Sequence, residues 1–95
     1  MQESDSTFHY VYILKSVNDP SRHYTGLTQN LQLRLKDHNC GKVPHTKKFK
    51  PWILETAIAF RSREKAANFE IYLKSHAGRA FAQGNGIGLL HARPF

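Results

Sequence analysis

The apolar positions of the chain follow two different periods, and the change from one to the other marks out its elements. Tyr10 to Lys15, YVYILK, is dense in β-branched and aromatic residues, and a period of two puts Tyr10, Tyr12 and Leu14 on one face of a strand. Ser16 to Arg22 contains an Asn-Asp-Pro turn signal and His23 to Leu27 resumes the extended pattern, which predicts an antiparallel hairpin. From Leu31 the period becomes helical, with Leu31, Arg34, Leu35 and His38 at i, i+3, i+4 and i+7. Thr28 or Asn30 can cap this helix, which should run to about Asn39 and stop at Gly41 in a left-handed conformation. Gly41 to Lys50 reads as a basic loop and Trp52 to Phe60 as a third strand behind Pro51. Ser62 is the N-cap of a second helix, with Glu64 in its first turn and its end near Ser75.

Both helical stripes carry ionisable residues where apolar ones belong. Burying an arginine or a histidine without a partner costs several kcal/mol, so Arg34 and His38 are expected at the edge of the core or lining a cleft. On the second helix the stripe is Ala66, Phe69, Glu70 and Leu73. Glu70 either snorkels out to pair with a basic residue, or serves as a metal ligand or general base. Two such helices beside a sheet with paired tyrosines on one face form a candidate site. Gly26 is expected to end or kink the second strand, where a residue without Cβ lets the chain fold closely.

Composition narrows the class. The 95 residues suit one compact domain, and a net charge of +7 points to a polyanionic partner. The basic loop with Lys42, Lys47, Lys48 and Lys50 is by itself a solvated face; beside a site it becomes a nucleic-acid contact. His45, Lys47 and Lys48, with Arg61 and Arg63 across the third strand, are candidates for the phosphate backbone, where they would set affinity without reading sequence. The lone Cys40 excludes an intramolecular disulfide and agrees with a reducing compartment. The other five histidines show no paired ligand spacing, which argues against structural zinc. The N-terminus has no basic start and no apolar run, so neither a signal peptide nor a membrane span is readable and the cytoplasm is the expected location. The organisation expected is a disordered N-terminus over residues 1–8, a domain over 9–83 and a glycine-rich tail over 84–95.

The order YVYILKS, YTGLT, LRLKDHN and FEIYLKS resembles the GIY-YIG endonuclease superfamily, in particular its small single-domain bacterial members related to structure-specific endonucleases. The resemblance runs from Tyr10 to about Gln83 and includes KSHAGRAFAQ, similar to a subfamily ending and read as a further helix from Gly78 to Gln83. It implies an α+β fold, a three-stranded antiparallel sheet flanked by helices, in agreement with the strands and helices read above. Tyr12 then stands for the tyrosine of the first motif, Tyr24 and Gly26 for the tyrosine and glycine of the second, Arg34 for the helix arginine, His38 for a histidine one turn later and Glu70 for the metal-binding carboxylate. Tyr10 occupies the glycine position of the first motif and Thr25 the isoleucine position of the second.

The implied activity is metal-dependent hydrolysis of phosphodiesters in DNA, with a branch, a flap or a single-stranded region as the recognised shape. A non-catalytic nucleic-acid-binding module of the same fold and a protein-docking domain are the alternatives, and the sequence identifies no protein partner. Arg34 suits the phosphate because its fork matches two oxygens. Glu70 suits a single Mg²⁺ or Mn²⁺ ion, a hard cation that otherwise keeps its waters. Tyr12 starts near pKa 10 and His38 near 6.5, so Tyr12 as base or water-positioner needs help from a neighbouring charge, and His38 can act directly or through it.

Overall fold

The computed structural model describes residues 7–75. Its elements are β1 (His9–Ser16), β2 (His23–Thr28), α1 (Leu31–Asn39), α2 (Pro44–Lys47), β3 (Trp52–Phe60) and α3 (Arg63–Lys74). The strands form one antiparallel sheet in the order β2-β1-β3. The α+β class and the three-stranded sheet are as anticipated.

The central place of β1 explains its composition. A strand paired on both edges and covered on both faces has no solvent side, and Val11, Tyr12, Ile13 and Leu14 are all at most 2% exposed. Alternate side chains feed two different cores. Val11 and Ile13 pack with Ala66 and Leu73 of α3 and with Leu27, Phe60 and Phe69. Tyr12 and Leu14 pack with Trp52, Tyr24, Leu31, Leu35 and Phe49, on the face that α1 covers. A register irregularity falls between Ile13 and Leu14, opposite β3.

The caps form as the sequence predicts. The Asn30 side chain accepts from the Leu33 amide at 3.0 Å, Gly41 closes the first helix region with φ of 86°, and Ser62 Oγ accepts from the Lys65 amide at 3.1 Å. Phe8 already packs against the fold, with its ring 6.3 Å from that of Tyr10 and the Arg61 guanidinium 4.9 Å from its centroid. The helix expected from Gly78 to Gln83 and the tail 84–95 lie outside the described residues.

Three expectations need correction. The basic stretch after Gly41 is not all loop, because Pro44 opens the short α2. Trp52 Nε1 donates to the Thr46 carbonyl of that turn at 2.9 Å, Ser16 Oγ donates to the Phe49 carbonyl just beyond it at 2.7 Å, and Asn39 bonds both backbone groups of Trp52. Gly26 does not end β2; it lies within the strand, opposite Tyr12. A Cβ there would run into the Tyr12 hydroxyl and ring, so the close approach is by a side chain across the ladder. His38 is not at the edge of the core but fully buried, which its two hydrogen bonds allow.

Candidate active site

The site grows from the pairing of β1 with β2. Because Gly26 has no side chain, the Tyr12 phenol lies across the ladder towards the free edge of the sheet at β2. There it meets α1, whose i, i+4 spacing presents Arg34 and His38 on one face. The Tyr12 hydroxyl is 2.9 Å from His38 Nε2, and Arg34 Nε donates to the same oxygen over a long 3.4 Å. Tyr24 closes the group, its ring centroid 4.9 Å from that of His38 and 6.4 Å from that of Tyr12. The other imidazole nitrogen, Nδ1, is 2.8 Å from the hydroxyl of Thr46 on α2.

These surroundings set the charges. Burial pushes the Tyr12 phenol above its ordinary pKa, against the hydrogen bond from Arg34, while Tyr24 and Glu70 add to the rise. Burial, then the positive charge of Arg34, holds His38 below its usual value, with Asp37 opposing. At neutral pH the pair is therefore a phenol beside a neutral imidazole. Arg34 keeps its charge, since the hydrogen bond to Tyr12 raises its pKa further. Its side chain is 37% exposed, and its contact with Asp37 is loose at 3.9 Å, so the guanidinium retains donors for an incoming oxyanion.

Glu70 approaches from α3, the helix on the other face of the sheet, and its field reaches Tyr12. Of the two readings of this carboxylate, the structure realises the pairing: Lys74 Nζ lies 3.1 Å away at i+4. Lys74 is half-exposed and Glu70 a fifth exposed, and helix pairs at this spacing contribute about 0.5 kcal/mol or less, so a stronger cation can displace the ammonium. Among the described residues no three His, Cys, Asp or Glu side chains cluster as a metal cage.

The structure thus brings together Tyr12, Tyr24, Arg34 and His38, while Glu70 stays on α3 and reaches only Tyr12, as the smallest contribution to its raised pKa. It does not bring together the expected nucleic-acid contacts. His45, Lys47 and Lys48 are exposed on and just after α2, near the start of β3, whereas Arg61 follows its far end, roughly 25 Å along the strand. Lys48 and Arg22 both lie over the Phe49 ring, at 5.8 and 4.4 Å. Thr46 was missed by sequence reasoning, and its only signal was Pro44, the start of a helical turn.

Two tyrosines, an arginine and a neutral histidine thus meet where α1 covers the β1–β2 side of the sheet. The GIY-YIG catalytic domain matches residues 8–83, and the chain belongs to that family, a nuclease class. It is 37% identical over 68 residues to a UPF0213 protein of Staphylococcus haemolyticus, covering 70% of this chain and 80% of that one. It is 39% identical over 71 residues to the structure-specific endonuclease subunit SLX1 of Candida dubliniensis, covering 67% of this chain but only 25% of the relative. The solution structure of the UPF0213 protein BH0048 of Bacillus halodurans is similar with a TM-score of 0.50 and 31% identity, over 92% of this chain and 88% of that one.

Proposed function

We propose that the protein is an endonuclease that hydrolyses phosphodiester bonds in DNA with the help of one divalent metal ion. The observation that carries this reading is the Tyr12 hydroxyl held between a neutral His38 at 2.9 Å and the charged Arg34. Hydrolysis needs an acceptor for the proton of the attacking water and a cation for the phosphate oxygens. Arg34 supplies the cation. Its bond to Tyr12 is long and easily given up, and as the guanidinium turns to a phosphate it uncovers a lone pair of the Tyr12 oxygen. Water lodged there passes a proton to Tyr12 while the tyrosine's own proton moves to His38 Nε2. The resulting hydroxide attacks phosphorus, the bond to the leaving oxygen breaks, and that oxygen takes a proton from solvent. Tyr24, against the His38 ring, is assigned to a water or phosphate oxygen.

The donor set fits a metal held by one carboxylate, waters and substrate oxygens, because the pair with Lys74 at i+4 is weak and its ammonium is half-exposed. Bound at Glu70, Mg²⁺ or Mn²⁺ would neutralise charge developing on the phosphate and the leaving group. Branched, flapped or single-stranded DNA is the proposed substrate, by analogy with the structure-specific endonuclease relatives. His45, Lys47 and Lys48 form one backbone contact and Arg61 a separate one. A second reading, a nucleic-acid-binding module without activity, draws on the Glu70–Lys74 pair and on the 2% exposure of Tyr12.

Labelled single-stranded, duplex and branched DNA, incubated with Mg²⁺ or Mn²⁺ and either the parent protein or Glu70→Ala, decides between them. Cleavage by the parent that EDTA and the variant both abolish is the expected result. Salt-sensitive binding by both proteins with cleavage by neither would establish the binding module.

A further inference from the structure

Thr46 is only 1% exposed, and its hydroxyl has two hydrogen-bond neighbours. One is the Val43 carbonyl at 3.3 Å, which can only accept; the other is His38 Nδ1 at 2.8 Å. A hydroxyl has one proton to give. With that proton on the Val43 carbonyl, the Thr46 oxygen must accept from His38, so the imidazole carries its proton on Nδ1. Nε2 is then a bare acceptor, and the hydrogen bond to Tyr12 runs from the phenol to the imidazole. Arg34 fits the same direction, since its Nε–H needs an acceptor and the Tyr12 oxygen is available as one.

We propose that Thr46 is a positioning residue: it fixes the tautomer of His38, and through it the direction in which Tyr12 gives up its proton. The consequence for cleavage rests on the nuclease reading above; the tautomer does not. With the opposite tautomer, Nε2–H would donate to Tyr12, whose oxygen would then accept from both His38 and Arg34 and have nowhere inside the site to send a proton. The charged or titratable groups facing His38 are Tyr12 from β1, Tyr24 from β2, and Arg34 and Asp37 from α1. Among the described residues Thr46 is the group hydrogen-bonded to Nδ1, and so the one that orders it. The anchoring of α2 by Trp52 and Ser16 places this hydroxyl. The short helix inside the basic segment thereby has a role separate from DNA contact.

The test is the ring ¹⁵N spectrum of His38 in histidine-labelled full-length protein, for the parent, Thr46→Val and Thr46→Ser, with cleavage rates measured on the same samples. The parent and Thr46→Ser are expected to show Nδ1 protonated and Nε2 accepting. Thr46→Val keeps the shape without the hydroxyl and is expected to move towards the Nε2–H tautomer, with cleavage slowed about tenfold or more and restored in Thr46→Ser. A parent protonated on Nε2 overturns the proposal, and so does a Thr46→Val protein that keeps the parent tautomer and rate. If Thr46→Val does not fold, the parent and Thr46→Ser spectra still decide the tautomer. If no form cleaves any DNA, the nuclease reading falls while the spectra still decide the tautomer.

Discussion

The two faces of β1 are built from neighbouring residues of one strand, yet they do different work. Val11 and Ile13 point into an apolar layer under α3, where the side chains do nothing but exclude water and each other's voids. Tyr12, between them, points the other way and is equally buried, but its ring ends in a hydroxyl bonded to His38 and held near Arg34. One face therefore holds the sheet together through area alone, and the other adds to its apolar cluster a set of directed bonds around the Tyr12 hydroxyl. The period of two in a strand lets a single central element serve both, at the cost that polar groups on the second face must all find partners.

The separation can be broken from either side. Ile13→Ala should have the largest effect on stability, about 2–5 kcal/mol from lost burial and the cavity left behind, with cleavage per folded molecule unchanged. Denaturant unfolding and an activity assay on the same sample check both halves, and lost activity in a folded Ile13→Ala protein would blur the division. Gly26→Ala acts on the other face. Its added Cβ meets the Tyr12 hydroxyl, so the phenol must shift; the expected cost is about 1–3 kcal/mol of stability and a cleavage rate reduced about tenfold or more.

The smallest effect is the pH dependence of stability. His38 has a lowered pKa in the folded protein, so on acidification the unfolded chain takes up its proton first. The stability that His38 contributes is present above the unfolded value of about 6.5, declines as pH falls through it, and levels off below the folded value. The stability difference between the parent and His38→Asn should thus narrow as pH is lowered, in thermal unfolding scans at several pH values. A difference that widens on acidification would mean that buried His38 is charged.

The parts of this arrangement legible in the sequence are those governed by local period and by caps. The β-branched run around Tyr12, the Asn30 and Ser62 caps and the stripe from Ala66 to Leu73 all state their element in their own neighbourhood. Arg34, His38 and Glu70 stood out because each interrupts an apolar stripe. What the sequence hid depends on contacts between distant residues. The burial of His38 is tolerable only because Thr46 and Tyr12 satisfy its two nitrogens, and neither is a neighbour in the chain. The four residues of α2 are too few to show a helical period, and they are held by Trp52 and Ser16 more than by their own propensity. Gly26 announced a close approach, but only the register of β1 with β2 shows that Tyr12 makes it.

The most direct test of the account is the initial cleavage rate of Tyr12→Phe, which removes one oxygen and leaves the packing of the ring. A folded protein is expected, destabilised by about 1–3 kcal/mol through the unpaired His38 nitrogen, with cleavage reduced by about 100-fold or more. A Tyr12→Phe protein that cuts DNA at the parent rate would show that the proton path does not run through this hydroxyl.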